Sequence, residues 1–234
     1  MSFLKTLQTA QLQNKKLVAV LIDPDKVSVP VVDNICKRIN KAPVDYLLLG
    51  GSIVGSNQTE IIAKEIQKHT TKPVILFPGD YTHLTEHADA LLFLNLISGN
   101  NPEYLIHQQV KAAPLLRKTS LEVVSTGYIL INEDNNSSTL NVTKTKPIDP
   151  KDTSLIKNTA LAGQLMGQKV LYLEAGSGSK QAIEKTVINA VHKTVHLPII
   201  VGGGIKDKNK IHEIHKAGAT LVVIGTAFEL NRIF

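Results

Sequence analysis

The hydrophobic period of this chain switches back and forth from one end to the other, and that rhythm admits few folds. Short apolar runs that stop at a polar or glycine residue occupy residues 18–23, 46–50, 74–77, 90–95, 121–131, 170–174, 199–201 and 221–224. Between them lie windows whose apolar residues return every three or four positions, as Val32, Ile35, Cys36 and Ile39 do, and again Ile183, Val187, Ile188 and Val191. Strand-like runs alternating with amphipathic helices describe an α/β protein built on a parallel sheet. Eight such runs are the number that closes a barrel. Further helices are expected over 57–69, 102–117, 152–167 and 207–217, the second opening at Asn101-Pro102 as a cap followed by proline in the first turn. Residues 78–89 hold proline, glycine and scattered polar residues, too little for a full crossover helix, and residues 132–152 form a polar excursion. The expected fold is therefore a single modified (β/α)8 barrel over residues 1–234, with its third helix missing or replaced by irregular structure.

Composition matters for what it excludes. With 43% hydrophobic and 20% charged residues the chain is neither disordered nor low in complexity. Its one cysteine, Cys36, makes no internal disulfide and is expected as a buried spacer in its helix; the first residues carry no secretion pattern, so a cytoplasmic location is expected. The run 17–22 is far shorter than the roughly 20 residues that cross a bilayer, so no membrane span is expected. The net charge of +6 comes from 23 lysines against three arginines, and there is no tryptophan. Base reading relies on bidentate arginine and stacking on aromatic rings, so no nucleic-acid partner is expected. A basic surface that draws in anionic small molecules, or makes at most peripheral contact with a membrane, fits better.

In a barrel of this kind the chemistry lies at the carboxyl ends of the strands. Glycine-rich segments follow the sixth, seventh and eighth runs, at Gly176-Ser177-Gly178, Gly202-Gly203-Gly204 and Gly225-Thr226. Glycine lets backbone amides approach an anion closely, and three such segments in consecutive units point to a phosphate. The string Gly176 to Lys180 lacks the spacing of a nucleotide P-loop. Across the rim, Asp23 and Ser52 end neighbouring runs and offer the hard oxygens that Mg²⁺ takes, although Asp23 and Asp25 would also serve as turn formers around Pro24. Glu174 closes an apolar run just before a phosphate loop, the place for a base toward an alcohol; a structural salt bridge is the competing account. His83/His87, His192/His196 and His212/His215 match no zinc-helix pattern, and no structural zinc is expected.

The ordered set LIDPDK, LLLGGS, PVILFPG, LFLNLISGNNPEYL, STGYILIN, YLEAGSGS, PIIVGGGI and VVIGTAFE resembles the geranylgeranylglyceryl phosphate synthase family with its heptaprenylglyceryl branch, over about residues 15–229. Motifs matching in order are far more specific than any one alone. The resemblance implies a prenyltransferase that joins the 3-hydroxyl of sn-glycerol 1-phosphate to a prenyl diphosphate, making an ether lipid precursor and releasing diphosphate. It implies Mg²⁺ at Asp23 and Ser52, and Glu174 as the base. It implies glycerol phosphate held by Tyr172, Leu173, Glu174, Ala175, Gly176, Ser177 and Gly178, by Gly203 and Gly204 in preference to Gly202, and by Gly225 and Thr226. Homo-oligomers, dimers or hexamers, are the family's habit. Tyr104, in the first turn of the helix after the fourth run, is expected to close the prenyl groove, which favours a geranylgeranyl donor; the alternatives are a longer heptaprenyl donor, or a phosphate-binding barrel isomerase or synthase of small-molecule biosynthesis.

Overall fold

In the computed structural model, described over residues 2–52, 54–132 and 138–234, the eight apolar runs are eight strands: β1 (Leu17–Ile22), β2 (Tyr46–Leu49), β3 (Val74–Leu76), β4 (Ala90–Leu96), β5 (Glu122–Leu130), β6 (Val170–Glu174), β7 (Ile199–Gly202) and β8 (Leu221–Ile224). They pair in parallel in chain order, and β8 returns to β1 to close the barrel. Around it run α1 (Phe3–Leu12), α2 (Val29–Lys41), α3 (Gln58–His69), α4 (Gln108–Leu116), α5 (Ser138–Thr143), α6 (Thr153–Leu165), α7 (Lys185–His192), α8 (Lys208–Lys216) and α9 (Thr226–Glu229). Between β3 and β4 there is only a 3-10 turn, Tyr81–His83, because Pro78, Gly79 and the polar residues after them offer no apolar stripe to lay on the sheet. In the polar excursion, Ile131 and Ile148 pair as an isolated bridge and α5 forms; residues 133–137 lie outside the described residues. No described helix is long and apolar enough to cross a membrane.

Alternation along the strands sorts their residues into two cores. Val20, Ile22, Leu171, Leu173 and Val201 face outward and pack with Val32, Ile39, Val187 and Ile188 of the covering helices. Leu17, Ala19, Val170, Tyr172, Ile200 and Val223 face inward and fill the barrel. Each fully buried valine, leucine or isoleucine among them contributes about 1.5–3 kcal/mol by leaving water. Cys36 is buried in the outer core, where burial pushes its thiol up to about 11, so it is a spacer.

Helix α1 stands outside the expected helices. Its buried residues Phe3, Leu7 and Ala10 belong to the inner core, so it plugs the amino end of the barrel. Ser2 caps it by accepting from Lys5 N at 3.2 Å, and the Glu122 carboxylate accepts from the amides of Phe3 and Leu4 at 2.6 and 3.0 Å. The opposite end stays open. There α9 is held by Arg38, which donates to the Phe228 carbonyl at 2.8 Å and lies 4.1 Å from the centre of its ring. The window 102–117 is not one uniform helix: a π-turn over Glu103–His107 precedes α4, and Asn101 Oδ1 accepts from Glu103 N at 3.0 Å as the expected cap.

Candidate active site

The inward parity of each strand carries past its end and decides which side chains meet at the mouth. Along β6, Val170 and Tyr172 point inward, and Glu174 continues that series. Glu174 is 7% exposed, with its Oε1 accepting from Gly176 N at 2.6 Å and its carboxylate hydrogen-bonded by the Tyr172 hydroxyl. Burial pushes the carboxyl up to about 7, against the pull of those two donors. Described salt bridges leave it out, so the competing structural reading finds no cation beside it. Beneath it the Phe77 and Tyr172 rings stack at 5.0 Å, with Tyr128 5.4 Å from Tyr172. Burial, and then the charge of Glu174, raise both tyrosine hydroxyls well above their usual range, so both stay neutral, and Tyr172 donates to Glu174.

Around Glu174 the glycine segments converge. A Cβ on Gly202 would lie 2.4 Å from the Tyr172 hydroxyl and 2.8 Å from Glu174 Oε2, so the strand can approach the carboxylate only as glycine. Gly203 and Gly204 turn the chain at φ of +84° and +67° and line the cavity at the mouth, as do Ser177, Gly178, Gly225 and Thr226. Gly202 is buried, whereas Gly203 and Gly204 are partly exposed. Leu173 and Ala175 point the other way, into the outer core, and offer only backbone; the Ala175 carbonyl accepts from Asn132 Nδ2 at 2.7 Å. The Gly176 amide is already committed to Glu174.

Across the mouth, Asp23 continues the inward series of β1. Its Oδ2 is 3.1 Å from Lys26 Nζ, its Oδ1 accepts from Asp25 N at 3.2 Å, and Gly51 lies against it. Asp25 does a different job: its carboxylate accepts from Gly55 N at 2.9 and 3.1 Å and ties the loop after β2 to the loop after β1. Asp23 and Ser52 both line the cavity. Among the described residues no three His, Cys, Asp or Glu side chains are gathered as a metal cage. One carboxylate and one hydroxyl beside an open cavity fit Mg²⁺, which keeps waters and takes substrate phosphate for the rest of its shell.

The cavity measures about 560 Å³. One side is polar and carries Lys26, Lys180, Lys206 and Arg232; the other is apolar, with Leu84, Phe93, Leu94, Ala112 and Val142. Tyr104 lines the apolar arm and packs on the inner core, its hydroxyl donating to the Val142 carbonyl at 3.4 Å. Phe77, Tyr128 and the rim cations Lys180, Lys206 and Arg232 were not among the residues expected from sequence. Phe77 and Tyr128 sit in the apolar stretches 74–77 and 128–131, where nothing in the pattern says which residue faces inward, and the three cations lie in loops far apart along the chain.

Comparison with known proteins gives a consistent result. The PcrB family profile matches residues 10–232. The geranylgeranylglyceryl phosphate synthase of Flavobacterium johnsoniae is 47% identical over 225 residues, covering 96% of this chain and 93% of that one. The enzyme of the same name from Pyrococcus furiosus is 34% identical over 220 residues, covering 94% and 87%. Among solved structures, (S)-3-O-geranylgeranylglyceryl phosphate synthase of Thermoplasma acidophilum, in complex with its substrate sn-glycerol-1-phosphate, superposes with a TM-score of 0.91 at 30% identity, covering 98% of this chain and 92% of that one.

Proposed function

The chain belongs to the PcrB family, and on that premise we propose that Glu174 and the glycine segments around it carry out prenyl transfer to glycerol phosphate. The protein is a prenyltransferase that joins a geranylgeranyl group from geranylgeranyl diphosphate to the 3-hydroxyl of sn-glycerol 1-phosphate; its relatives are named geranylgeranylglyceryl phosphate synthase, and one is solved with its substrate sn-glycerol-1-phosphate. The single observation that carries the assignment to these residues is the placement of Glu174. It is a buried carboxylate with a raised pKa, aimed into a cavity that has anion-binding backbone on one side and an apolar arm on the other.

In this reading the amides of Ser177, Gly178, Gly203 and Gly204, with Gly225 and Thr226, hold the acceptor's phosphate and leave its 3-hydroxyl at Glu174. Glu174 takes the hydroxyl proton as the oxygen bonds to the allylic carbon and the carbon–oxygen bond to diphosphate breaks. Lys26, Lys180, Lys206 and Arg232 draw in the anionic donor, and its chain lies along the apolar arm, with Tyr104 across the far end. The Phe77, Tyr128 and Tyr172 rings keep water from the reacting carbon. Asp23 and Ser52 would hold Mg²⁺, which when bound supplies positive charge against the departing diphosphate. The protein works in the cytoplasm as a homo-oligomer.

The test is an incubation of the purified protein with sn-glycerol 1-phosphate and prenyl diphosphates of graded length, with and without Mg²⁺. A prenylglyceryl phosphate made best from the geranylgeranyl donor, and only with the metal, is expected. Turnover undiminished by a chelator would remove the metal from the scheme, and no prenylated product from any donor would overturn the reading.

A further inference from the structure

The turn over Glu103–His107 is wider than an α-helical turn, since Gln108 N donates to the carbonyl of Glu103, five residues back. Two side-chain amides enter it. Asn95, near the end of β4, donates from Nδ2 to the Leu105 carbonyl. Gln109 Nε2 donates to the Leu94 carbonyl at 2.5 Å and to the Tyr104 carbonyl at 3.3 Å. Side chains inserted into the ladder are a recognised cause of such local widening.

Each amide makes these bonds at a cost. Asn95 Oδ1 and Gln109 Oε1 are buried without a hydrogen-bond partner. A leucine or methionine at either position would avoid that penalty, yet two polar groups are spent on one turn. What the turn carries is Tyr104, whose ring lines the apolar arm and whose hydroxyl reaches Val142. Closing the turn to ordinary pitch shifts the register by one residue, and one residue of α-helix is a rotation of about 100°. Tyr104 would then swing out of the arm.

We propose that Asn95 and Gln109 are specificity-determining positioning residues: by pinning the wide turn they hold the Tyr104 ring across the apolar arm and so set the length of prenyl chain admitted. The inference rests on the reading that the arm takes the donor chain and that Tyr104 closes it.

The experiment compares the full chain with Gln109→Met, Asn95→Leu, Tyr104→Ala and the double variant Tyr104→Ala/Gln109→Met, each checked for cooperative thermal unfolding. All are assayed with geranylgeranyl and heptaprenyl diphosphates in competition and for KM toward glycerol phosphate. Each single variant is expected to raise the preference for the longer donor by about tenfold, the scale at which pocket volume discriminates apolar chains. KM for glycerol phosphate should hold, and the double variant should move no further than Tyr104→Ala alone. A shift in Tyr104→Ala with none in a folded Gln109→Met or Asn95→Leu would overturn the positioning role and leave the limiter standing. An unchanged profile in folded Tyr104→Ala would overturn the limiter itself, and the inference with it. Gln109, in the cavity wall, offers the milder change should Asn95→Leu fail to fold.

Discussion

The amide of Gly176 donates to Glu174 Oε1 at 2.6 Å, so the loop that begins the phosphate side of the mouth is fastened to the carboxylate that ends β6. In the proposed reaction, binding and proton transfer are thus held in one geometry by one hydrogen bond. Glutamine at 174 can still accept that bond but cannot take a proton. In Glu174→Gln, kcat should fall by about 10²-fold or more, with calorimetric affinity for glycerol phosphate largely kept. Lost affinity with normal kcat at saturation would make Glu174 a positioning residue instead.

The raised pKa of Glu174 fixes the sign of two pH effects. A base must be ionised, so kcat should fall as pH drops through about 7 and level off above it. An acid limb near 4.5 would mean that the carboxylate is solvated. For stability, a carboxyl whose pKa is higher in the fold favours folding below the unfolded value of 4.5, and that contribution is lost as pH rises through about 7. Relative to glutamine, the ionised group costs about 3 kcal/mol at most. Glu174→Gln should therefore melt higher than the wild type at pH 8, with the gap closing toward pH 4.

Asp23 and Asp25, two residues apart, should respond differently. Asp23 faces the cavity, whereas Asp25 is engaged with Gly55. Asp23→Asn should abolish Mg²⁺-dependent turnover. Asp25→Asn should lose much less activity, and its melting temperature should fall as the loop tie weakens. Equal losses of activity would contradict the metal assignment.

Gly202→Ala places a methyl 2.4 Å from the Tyr172 hydroxyl and 2.8 Å from Glu174 Oε2. Overpacking of this kind costs about 1–3 kcal/mol, and here the groups displaced are those of the site. Stability and kcat should fall together. At Gly178 an added Cβ meets nothing within 4 Å, so Gly178→Ala carries only the strain of a φ of +75° and should cost less of both.

The barrel was legible because its strands are mostly apolar and stop at glycine or polar residues; all eight runs are strands. The short third unit could be read too, since Pro78, Gly79 and the residues after them offer no helical stripe. Facing was less legible: in Val170-Leu171-Tyr172-Leu173 both sides are apolar, and only closure of the barrel sends Tyr172 inward and Leu173 outward. Phe77 and Tyr128 were hidden for the same reason. Helix α1 shows its Phe3, Leu7, Ala10 spacing in sequence, but what those residues cover exists only once the barrel has closed. The π-turn was unreadable in its own window, because Asn95, one of the groups that widen it, comes from the preceding strand.

The central claim is that the 3-hydroxyl of glycerol phosphate attacks the allylic carbon at Glu174. It is tested most directly with sn-glycerol 1-phosphate carrying ¹⁸O in that hydroxyl, turned over with geranylgeranyl diphosphate and analysed by mass spectrometry. The account predicts the label in the ether oxygen of the product and unlabelled diphosphate. Label in the released diphosphate, or a prenyl product whose ether oxygen is unlabelled, would contradict it.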